Sequence, residues 1–162
     1  MVLPRALRPP VAWVSRTRAF RAAGPRIMPP LERAWRVVSG GRTPLSGLGV
    51  PSLVLHTKGA KTGQERITPL MYLQDGDRQV IFASMGGWKR NPDWYHNLRA
   101  DPNVTVEVGT EAYNATAVEL HGEERDRLYD QMAADYSQFA LYKKKTKRLI
   151  PVILLERKTP PA

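Results

Sequence analysis

Residues 52–83 read SLVLHTKGAKTGQERITPLMYLQDGDRQVIFA, and this stretch decides the fold of the chain. Three runs rich in β-branched and other apolar residues, at 52–57, 66–73 and 79–83, are separated by glycine-containing turns. Runs of this kind are typical of strands, and Asp75-Gly76-Asp77 is typical of a tight hairpin turn. The stretch therefore predicts an antiparallel meander of three strands.

The signals that follow residue 83 add helices and further strands. Asn91-Pro92-Asp93 predicts a helix start with Asn91 as its cap, and Asp101-Pro102 predicts the end of that helix. Alternating valines predict a strand at 104–108, and residues 111–120 are expected to pair back onto it.

The last third of the chain completes the pattern. Residues 123–135 and a second piece around 139–142 carry apolar residues at helical spacing, and 152–155 is an apolar run typical of a buried strand. Six strands in mostly antiparallel order with a few helices predict a mainly β, or α+β, small barrel.

Charge divides the chain into two parts. Of its 162 residues, the first fifty contain nine arginines against one acid, Glu32, and so hold most of the net charge of +10. Proline pairs and apolar residues interleave with these arginines. We expect a basic Arg/Pro-rich arm at 1–50, partly disordered and carrying an amphipathic helix. Residues 51–162 are expected to form one folded domain that carries the chemistry.

Composition excludes several classes of site and narrows the expected location. The chain has no cysteine, and its three histidines lack the paired spacing of a zinc site. No run approaches the ~18 apolar residues of a membrane span, and the amino terminus alternates arginine with short apolar runs, so we expect it not to act as a secretory signal. We expect a cytoplasmic protein that touches the inner face of the membrane through its arm. Nucleic acid is not expected, because no aromatic stacking pairs accompany the arm.

Two clusters of residues could carry chemistry. The loop at 57–66 combines lysines, Thr62 and Arg66 with glycines, which suits a phosphate, although an ordinary solvated loop has the same composition. It is not a Walker A loop, since Ala60 precedes Lys61 and a strand follows. The second cluster, at 84–98, places Gly86-Gly87 before aromatic and basic residues, so a flat group could approach the backbone there.

These motifs together resemble those of the deazaflavin (F420)-dependent nitroreductase family. The resemblance spans residues 52–155 and consists of separate motifs in the same order: Lys61-Thr62-Gly63-x-x-Arg66-x-x-Pro69-Leu70, Gly86-Gly87, Asn91-Pro92-x-Trp94-Tyr95-x-Asn97-Leu98 and Ile150-Pro151. It implies a split β-barrel like that of FMN-binding oxidases, coenzyme F420 as cofactor, and hydride transfer from the reduced deazaflavin to a quinone, an enone or a nitro compound.

The resemblance also assigns roles to residues. Those implied to bind the coenzyme are, for its phosphate and tail, Lys61, Thr62 and Arg66; along its ring, Pro69, Leu70 and Met71; at the ring's far edge, Ala83 and Ser84; and on the bordering helix, Trp94 and Asn97. Lys89 and Arg90 are weaker candidates for the tail carboxylates. Met85 and Phe139 differ from a nitroreductase of the family, which has lysine and tyrosine at these two positions.

Three hydroxyl groups, those of Ser84, Tyr136 and Tyr142, are the candidates for catalysis, since each could donate to an acceptor oxygen. For the tyrosines, packing in a core is the alternative. An FMN-binding oxidoreductase on the same barrel and a non-catalytic module that binds anionic surfaces are the rival functions. A homodimer is expected by analogy, and the run at 143–148 is interpreted as a solvated helix end.

Overall fold

The computed structural model describes residues 49–159 together with Val38, Gly41, Thr43 and Leu45. All the predicted strands are present, with bounds that differ by no more than two residues. In the described part of the chain they are β1 (Ser52–Lys58), β2 (Glu65–Asp75), β3 (Arg78–Phe82), β4 (Asn103–Val108), β5 (Glu111–Leu120) and β6 (Val152–Arg157). The helices there are α1 (Asp93–Ala100), α2 (Gly122–Asp135) and α3 (Ser137–Lys145), and a short 3-10 turn covers Met85–Gly87.

The six strands form a closed barrel in the order β1-β2-β3-β6-β5-β4, with β4 pairing back onto β1. Every neighbouring pair is antiparallel. Asp75 pairs with Arg78, so Gly76 and Asp77 form the predicted hairpin turn between β2 and β3. The barrel expected from the sequence is confirmed.

The barrel interior is filled by alternate residues of its strands. Leu53 and Leu55 of β1 face the same cluster as Val104 and Val106 of β4, because side chains two apart on a strand point to one face. Helix α1 adds side chains to this cluster and so closes one end of the barrel. They are Trp94, Tyr95 and Leu98.

A second apolar layer covers the outside of β3 and β6. Phe82 of β3 packs against Tyr129 of α2 and Phe139 of α3, with ring centroids 5.9 and 5.6 Å apart. Leu128 and Met132 belong to the same cluster and are fully buried. Burial on both faces explains why β3 and β6 read as continuous apolar runs in the sequence.

The start of α1 differs from the prediction in one detail. The helix begins at Asp93, but its N-cap is Pro92, without a side-chain hydrogen bond. Asn91 is therefore not the cap, and that prediction was wrong. Its Oδ1 accepts a hydrogen bond from Nη1 of Arg148 at 2.7 Å, a partner 57 positions away that a local pattern does not reveal.

The predicted arm at 1–50 lies almost wholly outside the described residues, and so does its amphipathic helix. Thr43 is described: it is buried, and its hydroxyl is hydrogen-bonded to that of Ser52 at the start of β1. Within the described ranges, no helix combines the length and apolarity that crossing a bilayer requires.

Gly87 sets how closely α3 can approach the 3-10 turn. Its φ is +76°, and a Cβ there would lie 3.1 Å from Cα of Tyr142 and 3.3 Å from Cβ of Lys145. Both the backbone conformation and the contact therefore favour glycine.

We predict that Gly87→Ala lowers the free energy of unfolding by about 3 kcal/mol, because it combines left-handed strain with overpacking. Gly76→Ala is the matched control: its φ is +64° with nothing within 4 Å, so it should cost only about 1 kcal/mol. Urea denaturation measures both. Equal losses would contradict the close packing of α3 on the turn.

Candidate active site

The β1–β2 loop carries the residues predicted to hold a phosphate. The amide of Gly59 donates to the carbonyl of Gln64 at 2.7 Å and closes the loop. Lys61, Thr62 and Arg66 are exposed on this loop and at the start of β2. Nη2 of Arg66 lies 3.4 Å from Oγ1 of Thr62, a long hydrogen bond. The loop thus offers two cations and a hydroxyl to solvent, as an anion site requires.

Asn97 fixes this loop to helix α1. Its Oδ1 accepts a hydrogen bond from the amide of Ala60 at 2.9 Å, and its Nδ2 donates to Oγ1 of Thr57 at 3.2 Å. The side chain is buried, at 8% exposure. Both polar atoms of the Asn97 side chain therefore form hydrogen bonds within the protein, and this residue positions the β1–β2 loop.

The first half of β2 has an open edge. Glu65–Met71 pair with β1, whereas β3 pairs with β2 only from Tyr72 to Asp75. The other edge of the first half therefore has no strand partner in the described part of the chain. Pro69, which has no N–H, is compatible with such an edge. Leu70 and Met71 lie on this half of β2 and are half-buried, Leu70 against the interior cluster and Met71 against the outer one, so a flat apolar group could reach the side chain of only one of them on each face.

The turn at 83–91 follows the end of β3, and Arg148 holds it in place. The guanidinium donates from Nη2 to the carbonyls of Ala83 and Ser84, both at 2.9 Å, and from Nε to the carbonyl of Trp88 at 2.8 Å. Its Nη1 binds Asn91, as described above. Partial burial lowers the pKa of Arg148 from its usual value.

Arg148 was not identified from the sequence. It lies in the basic run at 143–148, where five cations within six residues are typical of a solvated helix end. The structure separates it from its neighbours, since Lys144 and Lys147 are exposed whereas Arg148 is partly buried. The Ile150-Pro151 motif just after it, which leads into β6, was the available signal for a fixed conformation.

Helix α3 covers the space between the open edge of β2 and the turn. At its start, Nε2 of Gln138 lies 3.7 Å from the sulfur of Met71. At its other end, Tyr142 lies against Gly87, and Nζ of Lys145 donates to the carbonyl of Gly86 at 3.3 Å. The helix therefore contacts both β2 and the turn, and the region between these two elements is the candidate cleft.

Of the predicted catalytic hydroxyls, Ser84 lies at the turn, whereas the side chains of Tyr136 and Tyr142 both pack against the outer apolar cluster. Ser84 is half-buried at the start of the 3-10 turn, and Tyr142 is half-buried on α3 where that helix meets the turn. Burial raises the pKa of Tyr142, so its hydroxyl stays protonated at neutral pH. Tyr136 lies at the junction of α2 and α3, next to the outer apolar cluster.

Other predicted site residues are buried in the two cores. Ala83 and Trp94 are 0% and 7% exposed and belong to the barrel interior. Phe139 packs against Tyr142 with ring centroids 5.3 Å apart. Met85 is the one described non-glycine residue with positive φ, at 45°. Backbone strain of this kind is common at functional sites.

Two grooves lie on the surface near these elements. One, of about 430 Å³, adjoins the turn and is lined by Gly87, Trp88, Lys89, Arg90 and Lys145. Lys89 and Arg90, the weaker candidates for the tail, thus lie beside the cleft.

The other groove, of about 340 Å³, runs along β1 and β4 on the outside of the barrel. The ring nitrogens of His56 there lie 2.8 Å from a carboxylate oxygen of Glu65 and 2.6 Å from one of Glu107. Lys158 donates to Oδ1 of Asn103 at 2.7 Å. Because the carboxylate of Glu65 lines this groove and that of Glu107 adjoins it through His56, this groove is the poorer anion site. The described residues contain no cluster of three metal-ligating side chains.

Comparison with known proteins places these features in a family. A family model described as F420H(2)-dependent quinone reductase matches residues 31–157. An F420H(2)-dependent quinone reductase of Mycobacterium tuberculosis is 44% identical over 111 residues, which are 67% of this chain and 74% of that protein. A second protein of that organism, named as a putative F420H(2)-dependent quinone reductase, is 33% identical over 120 residues, 74% of this chain and 97% of that one.

Solved structures agree with the barrel. An F420-H2 dependent reductase superposes with a TM-score of 0.61 at 39% identity, covering 65% of this chain and 94% of that chain. A protein described as a domain-swapped dimer gives a TM-score of 0.63 at 34% identity, covering 91% and 100% of the two chains. The haem-storage protein HutZ of Vibrio cholerae, with a TM-score of 0.52 at 13% identity over 82% of this chain and 92% of that one, shares the fold alone.

We predict that Asn97→Ala destabilises the protein by about 2 kcal/mol, because it leaves the amide of Ala60 and the hydroxyl of Thr57 without their partner. Amide exchange at Ala60 should accelerate as well. Asn114→Ala, which removes an exposed hydrogen bond to Thr105, is the control and should change stability by about 0.5 kcal/mol or less. An unchanged exchange rate at Ala60 would show that Asn97 does not hold the loop.

Proposed function

We propose that this chain, which belongs to the F420H(2)-dependent quinone reductase family, transfers a hydride from reduced coenzyme F420 to a quinone in the cleft beneath α3. The observation that carries the proposal is the division of the cleft. Exposed cations lie on the β1–β2 loop and at the start of β2. Half-buried apolar residues follow along the open-edged half of β2, and the hydroxyl of Ser84 lies at the turn. F420 has the matching division into an anionic tail and a flat, apolar ring.

The residues present fit the coenzyme. Lys61 and Arg66 would hold the phosphate by charge-assisted hydrogen bonds, with Thr62 as a neutral donor. Pro69, Leu70 and Met71 would support the ring. The open edge of β2 and the glycine-rich turn allow a flat group to approach the backbone, and a Cβ at Gly87 would disturb the packing behind it.

The protein's contribution to the reaction is orientation, exclusion of water and stabilisation of charge on the acceptor. Bound F420H2 supplies the hydride. Ser84 and Tyr142 would donate hydrogen bonds to an acceptor oxygen next to the ring. Because burial keeps Tyr142 protonated, its hydroxyl can donate to the oxygen on which charge develops. Asn97 and Arg148 act indirectly, since they fix the two loops that border the cleft.

We expect the purified protein to bind F420 tightly and FMN weakly, because the phosphate loop and the ring surface together match the deazaflavin. Lys61→Ala should raise the dissociation constant of F420 at least tenfold, since a charge-assisted phosphate contact contributes about 1.5–3 kcal/mol. Fluorescence titration measures both ligands.

Lys158→Ala removes an equal charge from the groove outside the barrel and serves as the control. It should leave the dissociation constant of F420 unchanged. Tighter binding of FMN than of F420 would favour the rival FMN oxidoreductase, and binding of neither would leave the anionic-surface module as the better account.

Tyr142→Phe should lower kcat for a quinone about 10²-fold with little change in the affinity for F420, because only the hydroxyl that stabilises the acceptor is lost. Tyr113→Phe removes a hydroxyl on β5 that donates to Gln79 and should leave kcat unchanged. Steady-state rates with a quinone, a nitroaromatic compound and an enone identify the acceptor. A kcat/KM that is higher for either of the last two would overturn quinone as the substrate class.

A further inference from the structure

Large apolar side chains are exposed together on one part of the surface. Trp88, Leu141 and Leu149 are 48%, 51% and 69% exposed, and they make up three of the five such side chains in the part of the chain that the structure describes. Singly exposed leucines are ordinary, but a cluster indicates a contact surface.

The three side chains belong to neighbouring segments. Nε of Arg148 donates to the carbonyl of Trp88, which places the adjacent Leu149 close to Trp88 in space. Leu141 and Lys145 are one turn apart on α3 and so share a face of that helix. Lys145 and Trp88 line the same groove. The apolar residues therefore surround a single region.

This region is strongly basic. Residues 88–91 and 141–149 contain seven lysines and arginines and no acidic residue. Two carboxylates at its border form ion pairs with it, Asp93 with Arg90 at 3.7 Å and Asp130 with Lys143 at 2.9 Å. A substantial positive excess remains. The helix dipole explains cations only in the last turn of α3, whereas Lys89 and Lys147 lie outside that helix.

We propose that this surface docks on an anionic phospholipid bilayer. We call it the Trp88 face and define it by Trp88, Leu141 and Leu149 with Lys144, Lys145 and Lys147. Tryptophan and leucine enter the interfacial region of a bilayer, while lysines above them contact the headgroup phosphates. A nucleic acid would match the positive charge but has no apolar region into which exposed leucines could insert. The exposed leucines therefore favour an anionic bilayer over a nucleic acid.

The position of the face links docking to the reaction. Gly87 belongs both to the groove beside Trp88 and to the turn against which Tyr142 packs. The turn therefore lies next to both the Trp88 face and Tyr142. Provided that the proposed function is correct, an acceptor dissolved in the bilayer reaches Tyr142 without crossing water. Docking itself does not depend on the identity of the coenzyme or the acceptor.

The test uses the full chain and vesicles, without coenzyme or acceptor, so its outcome is independent of the proposed function. Co-sedimentation is measured with vesicles of phosphatidylcholine alone and with added phosphatidylglycerol. We expect binding only to the second, with a steep decline as salt rises. The double variant Lys144→Glu/Lys147→Glu should weaken binding at least tenfold.

Lys58→Glu/Lys158→Glu makes the same change of charge on the outside of β1 and near the end of β6, and should weaken binding far less. Leu141→Gln/Leu149→Gln should also weaken binding, whereas Ile67→Gln, which alters a similarly exposed apolar residue elsewhere, should not. If each variant on the Trp88 face weakens vesicle binding no more than its control variant does, the binding comes from overall charge or from the arginines at 1–50. The proposal would then be wrong. Stronger binding to a DNA duplex than to vesicles would also overturn it.

Fluorescence gives a direct readout of depth. In a Trp13→Phe/Trp35→Phe variant only Trp88 and the buried Trp94 remain. Brominated phosphatidylglycerol should quench the emission of Trp88. Sedimentation with vesicles but no quenching would show that another surface makes the contact.

Discussion

The hydrogen bonds of Arg148 hold together the part of the molecule on which both proposals depend. One guanidinium binds three main-chain carbonyls and the side chain of Asn91, all in the turn at 83–91. A turn with two glycines and a strained Met85 does not hold one conformation unaided. Because Arg148 precedes β6, the turn is tied to the barrel. The same hydrogen bonds hold the main chain at Ala83 and Ser84, beside the candidate cleft, and at Trp88, on the Trp88 face.

The barrel supplies the second constraint, an incomplete pairing between β2 and β3. A fully paired sheet would leave no edge for a ring to approach, and an open sheet would not bury its interior. Here β1 pairs with the first half of β2, and the rest of the barrel closes through the remaining strands. The proposed coenzyme would occupy this gap, while strand side chains fill the barrel interior and α1 closes one of its ends.

Local patterns predicted the strands well, because alternation and turn residues act over a few positions. The closed order of the strands depends on pairing between distant segments, which local patterns do not define. The predicted cap at Asn91 was wrong because its side chain binds the distant Arg148 instead. Arg148 was hidden among lysines for the same reason. The roles of Lys61, Thr62 and Arg66 came from the family resemblance, and the structure places the first two on the β1–β2 loop and Arg66 at the start of β2. Asn97 was predicted to bind the coenzyme, but its side-chain oxygen and nitrogen are hydrogen-bonded to Ala60 of the β1–β2 loop and to Thr57 of β1.

Hydrogen–deuterium exchange with and without reduced F420 tests the central claim most directly, because it locates the ligand on the native chain. The account predicts slower exchange of the amides at 59–71 and 84–91, the two sides of the cleft, and little change along β4 and β5. Protection confined to the groove around His56 and Lys158, or no protection at 59–71, would contradict the placement of the coenzyme.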